Sequence, residues 1–140
     1  MPGLDLKISG CPNGCARHHI AGLGFQGSVR RLGKRVVPQY FVMVGGGVDE
    51  GGVHFGRTIA KIPARRVPEV VERLIALFQA EGRPGEAPAA FFRRLTPERA
   101  REVLSDLERL GPEDATADDF VDLGAQGEFR LEILDGECSA

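Results

Sequence analysis

Long apolar runs are missing from this chain of 140 residues. Nothing in it approaches the roughly 20 consecutive apolar residues that a membrane helix needs, so no membrane-spanning helix is expected. The start, Met1-Pro2-Gly3-Leu4-Asp5, has neither the basic cluster nor the apolar stretch of a secretory signal. Cysteine is scarce, with three residues, an odd number. Cys11 and Cys15 lie too close together for a typical structural bridge. That usage argues against a disulfide framework and for metal or redox chemistry in a reducing compartment, here the cytoplasm. An excess of positive charge is also absent: the net charge is −2 and aromatics make up 6% of the chain. Nucleic-acid binding wants a basic protein with interleaved aromatics, so it is not expected. No internal repeat and no low-complexity tract is present.

Charge is distributed unevenly. Residues 1–57 carry seven Lys or Arg against three acids, and the remainder carries 11 against 17. A basic half beside two cysteines suits an anionic cofactor or substrate. Ordinary surface scatter would produce the same asymmetry.

Alternation in Leu4-Asp5-Leu6-Lys7-Ile8-Ser9 predicts a short strand with one buried face. A turn-rich loop, Gly10-Cys11-Pro12-Asn13-Gly14-Cys15, follows, then a short helical stretch around Ala16–Ala21. Phe25–Leu32 and Gln39–Val44 form a hairpin candidate around Gly33-Lys34-Arg35, with Pro38 at the strand edge. The glycines of Val44–Gly52 predict a flexible turn, and His54–Ile62 a further strand. Pro68 opens a helix whose inner face carries Val70, Val71, Leu74, Ile75 and Phe78, with Gly82 as terminator. Ala89–Leu95 is a short helix candidate. Thr96-Pro97-Glu98 opens another, with Val103, Leu104 and Leu107 inward and Gly111-Pro112 as the stop. Glu113–Asp119 reads as an acidic linker or surface segment, and Phe120–Asp122 and Glu128–Leu134 as short extended pieces. This order predicts an α+β fold, a single mixed-sheet domain with helices packed on the sheet. Its bounds are residues 1–112, with 113–140 as acidic linker and C-terminal tail.

Chemistry concentrates in Ser9-Gly10-Cys11-Pro12-Asn13-Gly14-Cys15-Ala16-Arg17-His18-His19. Two thiolates three residues apart can hold one metal or two irons of a cluster, because a glycine-rich turn brings both sulfurs to one side. Backbone N–H groups of such a turn can also stabilise the sulfur charge. Zinc is a rival, with Cys11, Cys15, one of His18 and His19, and His54 as ligands. Adjacent histidines on a helix point apart, so at most one would face the site. Arg30-Arg31 and Lys34-Arg35 surround the hairpin turn and read either as a solvated turn or as a contact for acidic groups. Val44–Gly52 lacks the Lys-Ser/Thr ending of a phosphate-binding loop.

The full string is more specific than the spacing. Ser9 to Cys15, then Ala16-Arg17-His18-His19-Ile20-Ala21 and Gly24-Phe25-Gln26-Gly27, closely resembles the second cysteine motif of siroheme nitrite and sulfite reductases. The resemblance continues through Tyr40-Phe41-Val42-Met43-Val44-Gly45-Gly46, Phe55-Gly56-Arg57 and Lys61-Ile62-Pro63, covering about residues 4–95. Gly136-Glu137-Cys138-Ser139-Ala140 is similar to the tails of some bacterial members. The resemblance implies the family's 4Fe-4S domain fold and a [4Fe-4S] cluster held by four thiolates, one of them shared with siroheme. By position, Cys11 would be a cluster ligand and Cys15 the shared ligand. Asn13 would shape the pocket, and Arg17 would be a further cofactor-binding residue. The implied reaction reduces nitrite to ammonia or sulfite to sulfide.

The family's other ligand pair, a C-x5-C motif, lies upstream of this one and has no counterpart here. Cys138 is the only other thiol. Both cofactors would be incomplete without that segment, and no catalytic residue is expected in the isolated chain, which should be inactive. The expected partner is the missing N-terminal part of a reductase or a second chain, with a ferredoxin-like electron donor and a homo-oligomer as further possibilities. A sheet edge and an apolar groove should be open for that partner. The alternatives are a small metal-binding or interaction protein that keeps the loop without catalysis, and a precorrin-processing relative of the same superfamily.

Overall fold

The structure, a computed structural model, describes residues 1–132. Cys138 and the similarity of the last five residues therefore lie outside the described residues. Six strands, β1 (Leu6–Ser9), β2 (Leu23–Leu32), β3 (Arg35–Val44), β4 (Gly47–Asp49), β5 (Gly52–His54) and β6 (Arg57–Pro63), precede three helices. The helices are α1 (Val67–Glu81), α2 (Pro88–Arg94) and α3 (Pro97–Glu108). Four strands form one sheet in the order β1-β2-β3-β6, with β4 and β5 a separate pair. β1 runs parallel to β2, and the β2–β3 and β3–β6 pairs are antiparallel. The architecture is α+β, a mixed sheet with helices packed on it.

Strand alternation sorts the sheet into two faces. Leu23, Phe25, Val42 and Val44 face one core with Val70 and Leu74 of α1, Phe91 and Phe92 of α2, and Ala100 and Leu104 of α3. Phe78, Phe91 and Phe92 pack ring to ring, with centroids 5.2–6.4 Å apart, edge-on in two of the three pairs. The opposite face, carrying Gly24 and Gln26, is covered by the residues between β1 and β2.

The two outer edges of the sheet differ. Along β6, Glu108 of α3 accepts from the Lys61 N–H (2.9 Å) and Arg101 donates to the Ile59 carbonyl (3.2 Å). Arg30 reaches the Lys61 carbonyl from β2. That edge is closed. β1 has β2 on one side only, and its register, Leu6↔Leu23 and Ile8↔Phe25, places Leu6 and Ile8 on the core face. They nevertheless stay 38% and 45% exposed, because the helices do not reach over them.

Several local expectations change. The helical stretch expected around Ala16–Ala21 shortens to one 3-10 turn, His18–Ile20, entered through Arg17 in a left-handed conformation that no regular helix accommodates. The glycine turn is the β4–β5 hairpin, closed by the Gly51 N–H donating to Asp49 Oδ1. The strand expected over His54–Ile62 breaks at Phe55-Gly56. Pro38 sits inside β3, one residue beyond Gln39↔Pro63, the last pair that β6 makes with it. α1 buries Val67 and Leu77 more deeply than Ile75. Gly82 ends it at φ −65°, not left-handed; a Cβ there would lie 2.6 Å from the Phe78 carbonyl. Thr96 caps α3 as expected, accepting from the Arg99 N–H.

The acidic segment lies on the surface, with Glu113, Asp114 and Asp118 exposed, but its end is docked. Asp119 is 3% exposed and pairs with both arms of Arg66 (2.9 and 2.7 Å), while Phe120 is buried under the Arg35 guanidinium. Burial alone would push the Asp119 carboxyl up, but Arg66 and the Thr116 N–H and hydroxyl hold it below the usual carboxylate range. A group depressed on folding stabilises above its unfolded pKa and loses that contribution as pH falls through the folded one. Asp119→Ala should therefore cost about 3 kcal/mol near neutrality, because it leaves Arg66 partly buried and unpaired. Urea melts from pH 7 down to pH 3 should show this cost shrinking on the acid side.

Candidate functional site

The cysteines lie on the connection between β1 and β2. Parallel neighbours cannot be joined by a tight turn, so the chain must cross over. Here the crossover is residues 10–22, and it carries every candidate ligand of the loop. Cys11 and Cys15 are both free thiols, Cys11 half-buried and Cys15 exposed. Asn13 and Arg17 are exposed beside them.

Close approaches hold this crossover down. A Cβ at Gly27 would lie 2.1 Å from the Gly10 carbonyl, and one at Gly24 would lie 2.1 Å from the His18 carbonyl. Both glycines are there because main chain passes directly over them. Gly14, between Asn13 and Cys15, has φ +69°, and the Arg17 N–H donates to its carbonyl at 2.7 Å. Arg17 is the only described non-glycine residue with positive φ, at 60°.

A polar layer lies beneath the loop. His18 is fully buried, with Nε2 3.1 Å from Gln26 Oε1. Desolvation, the larger effect, lowers the His18 pKa against the hydrogen bond to Gln26, so the ring is neutral at neutral pH. The His19 ring stacks on it with centroids 3.8 Å apart, so the two histidines do not point apart as a helix would make them. Ser9, paired in register with Gln26, is also buried. Ser9 Oγ and His18 Nδ1 have no hydrogen-bond partner. Orphaned atoms of this kind are places for an ordered water or ligand atom. The sequence motif contained Ser9, Gln26, Gly24 and Gly27 but gave them no role. The signal was strand alternation, which sets Gly24 and Gln26 on the same face.

The zinc arrangement is not assembled. His54 is bonded to Asp49 at 3.1 Å and His18 is turned to Gln26. Among the described residues no three His, Cys, Asp or Glu side chains converge as a metal site. Asp49, held by Arg93 and then by His54 and the Gly51 N–H, has its pKa lowered to about 2. It ties the β4–β5 hairpin to α2 through a 2.6 Å bond from Arg93. That hairpin and the residue after it expose Val48, Val53 and Phe55, and the Gly56 N–H donates to the His19 carbonyl at 2.7 Å.

The four cations at the β2–β3 turn separate. Arg30 is structural, spent on Gln39 and on the Glu108 and Lys61 carbonyls. Arg35 pairs with Glu128 and covers Phe120. Arg31 and Lys34 are exposed, and with Arg35, Glu128 and Arg130 and the apolar Val36, Phe129 and Leu131 they line an open depression of about 420 Å³. No helix among the described residues is long and apolar enough to cross a membrane.

Comparison with known proteins gives one family. The family described as nitrite and sulphite reductase 4Fe-4S domain matches residues 4–111. The chain is 33% identical over 84 residues to the sulfite reductase (NADPH) hemoprotein beta-component of Methylobacterium sp. strain 4-46, covering 59% of this chain and 12% of that one. It is 29% identical over 101 residues to sulfite reductase (ferredoxin) 1 of Mycolicibacterium paratuberculosis, covering 70% and 18%. With the chloroplastic ferredoxin–nitrite reductase of Pinus sylvestris it shares 38% over 74 residues, covering 51% and 70%. The solved structure of the Mycobacterium tuberculosis NirA protein superposes with a TM-score of 0.62 at 29% identity, over 69% of this chain and 18% of that one. This chain thus spans under a fifth of the length of these two sulfite reductases.

Two substitutions test the loop geometry. Arg17→Gly should raise stability by about 0.5–1 kcal/mol, because a left-handed non-glycine residue carries strain that glycine relieves. Gly27→Ala should lower it by about 2 kcal/mol, the scale of an overpacked site, since the Gly10 backbone must move. Urea unfolding of the two variants beside the parent measures both.

Proposed function

Because this chain belongs to the nitrite and sulphite reductase 4Fe-4S domain family, we propose that Cys11 and Cys15 are two of the four thiolate ligands of a [4Fe-4S] cluster, with Cys15 shared with siroheme. The supporting observation is the crossover itself, which presents two free thiols on one glycine-bent loop open to a partner. The donor set fits half a cluster site. Two thiolates of the right chemistry are present, and among the described residues no third metal-binding side chain joins them. The remaining pair would come from a C-x5-C segment, in the same longer polypeptide or in a second chain. When bound, the coupled cluster and siroheme supply the electrons and the substrate-binding iron for reduction of nitrite to ammonia or sulfite to sulfide.

This chain's own residues hold and orient. Asn13, between the two thiols in sequence, and Arg17, two residues after Cys15, are exposed, and Arg17 would bind an acidic group of the cofactor. Neutral, buried His18 and Gln26 support the loop from below. The open β1 edge, with Leu6 and Ile8 uncovered, suits an added strand from the complementary segment. The depression lined by Arg31, Lys34 and Arg130, with Arg35 already paired to Glu128, keeps an excess of positive charge that suits an acidic electron donor such as a ferredoxin. Such a reductase belongs in the cytoplasm.

Anaerobic reconstitution with iron and sulfide tests the reading, with and without a polypeptide carrying the C-x5-C segment. The expected result is about four irons per complex and a cluster absorption band only when that segment is present. Cys15→Ser in the completed enzyme should abolish the siroheme spectrum and the activity. A stoichiometric centre formed by this chain alone, or an unchanged spectrum in Cys15→Ser, would sink the assignment.

A further inference from the structure

A continuous line of contacts runs from the residue before Cys15 to the middle of β2. Gly14 packs on His19, where an added Cβ would meet Cε1 at 2.9 Å and Nδ1 at 3.0 Å. The His19 ring packs on His18 with centroids 3.8 Å apart and planes tilted by 34°, and His18 reaches Gln26 at 3.1 Å. Each step is tight. Gly14 is in a left-handed conformation, the His18 carbonyl presses on Gly24, and His18 has no exposed surface. On the other side, Cys11 follows β1 by two residues, after the close contact of Gly10 with Gly27. The residues before the two thiols thus rest on different supports, Gly10 on Gly27 of β2 and Gly14 on the two imidazole rings.

We propose that His18 and His19 are positioning residues for Cys15, a ring-on-ring pair that fixes the second half of the cysteine loop onto Gln26 and is not itself a ligand. The geometry excludes easy substitutes. His19 must be flat to fit between Gly14 and His18. His18 must be flat on one face and carry a polar atom at its tip, because Gln26 Oε1 is waiting in a buried layer. A leucine at position 18 would fill part of the volume and leave that oxygen without its partner. Glutamine at position 18 would return a donor N–H near the position of Nε2.

The consequence for the cluster rests on the function proposed above, and the loop geometry does not. Two measurements separate them. In the chain alone, hydrogen exchange of the Arg17 amide, bonded to the Gly14 carbonyl, reports the order of the loop. His18→Leu should speed that exchange by about tenfold, the size of one buried hydrogen bond, with the β2–β3 amides unchanged. His18→Gln should restore most of the protection. His19→Ala, which removes the stack without touching the buried layer, should speed it as well and serves if His18→Leu does not fold. Unchanged Arg17 exchange in these variants, or equal acceleration throughout the sheet, overturns the proposal.

In the complex with the C-x5-C segment, iron loading and the cluster's midpoint potential are then read for the same variants. His18→Leu should lower loading and shift the potential, and His18→Gln should return both toward the parent. Looser exchange with loading and potential unchanged would overturn the positioning role while leaving the ligand assignment standing. If the parent forms no cluster with the segment, the proposed function fails, and the role of the pair in the cluster fails with it. The exchange result would then still decide whether the two rings order the loop.

Discussion

The parallel pairing of β1 with β2 governs the site. An antiparallel partner would have been joined by a few turn residues, but a parallel one requires the chain to travel back along the sheet. The thirteen residues that make this journey include both motif cysteines, Asn13, Arg17 and the two histidines. Their path is set by where β2 offers no side chain. Main chain can lie on the sheet over Gly24 and beside it over Gly27, since a Cβ at either would meet a carbonyl at 2.1 Å. A slip of one residue in β1–β2 register would replace these glycines by Leu23, Phe25 or Gln26 and turn the core face outward. The thiol positions are thus a consequence of sheet register as well as of the loop's own turns.

The same sheet shows what a closed edge requires. At β6, side chains of α3 and β2 bond the Ile59 carbonyl and the N–H and carbonyl of Lys61, which blocks strand addition at the middle of that edge. β1 has no such cover, and the apolar face that starts at Val44 and Leu23 runs out to Leu6 and Ile8 without a helix above it. An uncovered edge and an uncovered apolar face at the strand leading to Cys11 place the open surface next to the proposed cluster. The chain spans 12% and 18% of two related sulfite reductases. A larger protein is therefore available in the family to supply such a cover.

Much of the scaffold was legible. Pro68 and the apolar spacing marked α1, Thr96-Pro97 marked the start of α3, and Gly33 marked the β2–β3 turn, because each rests on contacts within a few residues. The cysteine motif identified the family for a similar reason: its information lies in one contiguous string. Long-range partners were not legible. Nothing near Asp119 in sequence announces Arg66, 53 residues away, so its acidic neighbours looked like a linker. The histidines misled because adjacent residues diverge on a helix. The left-handed Arg17 replaces that helix with a tighter turn on which the rings stack. The β4–β5 hairpin was hidden by its glycines, which carry no alternation to read.

The charge asymmetry of the sequence also changes meaning once its members are placed. Of the seven cations in residues 1–57, Arg30 and Arg57 are spent on main-chain carbonyls, Arg57 on those of Phe92, Arg93 and Leu95 at the end of α2. Arg35 pairs with Glu128 and Lys7 with Asp5. A basic half thus reflects structural arginines more than a field aimed at a cofactor. Arg17 stands apart, for it lies in the cysteine loop and its backbone is left-handed. A glycine would make that turn at less cost, so the backbone gives no reason for an arginine there. Its side chain is exposed, two residues after the exposed Cys15. A left-handed backbone that carries an exposed guanidinium is the observation on which the proposed contact of Arg17 with an anionic group rests.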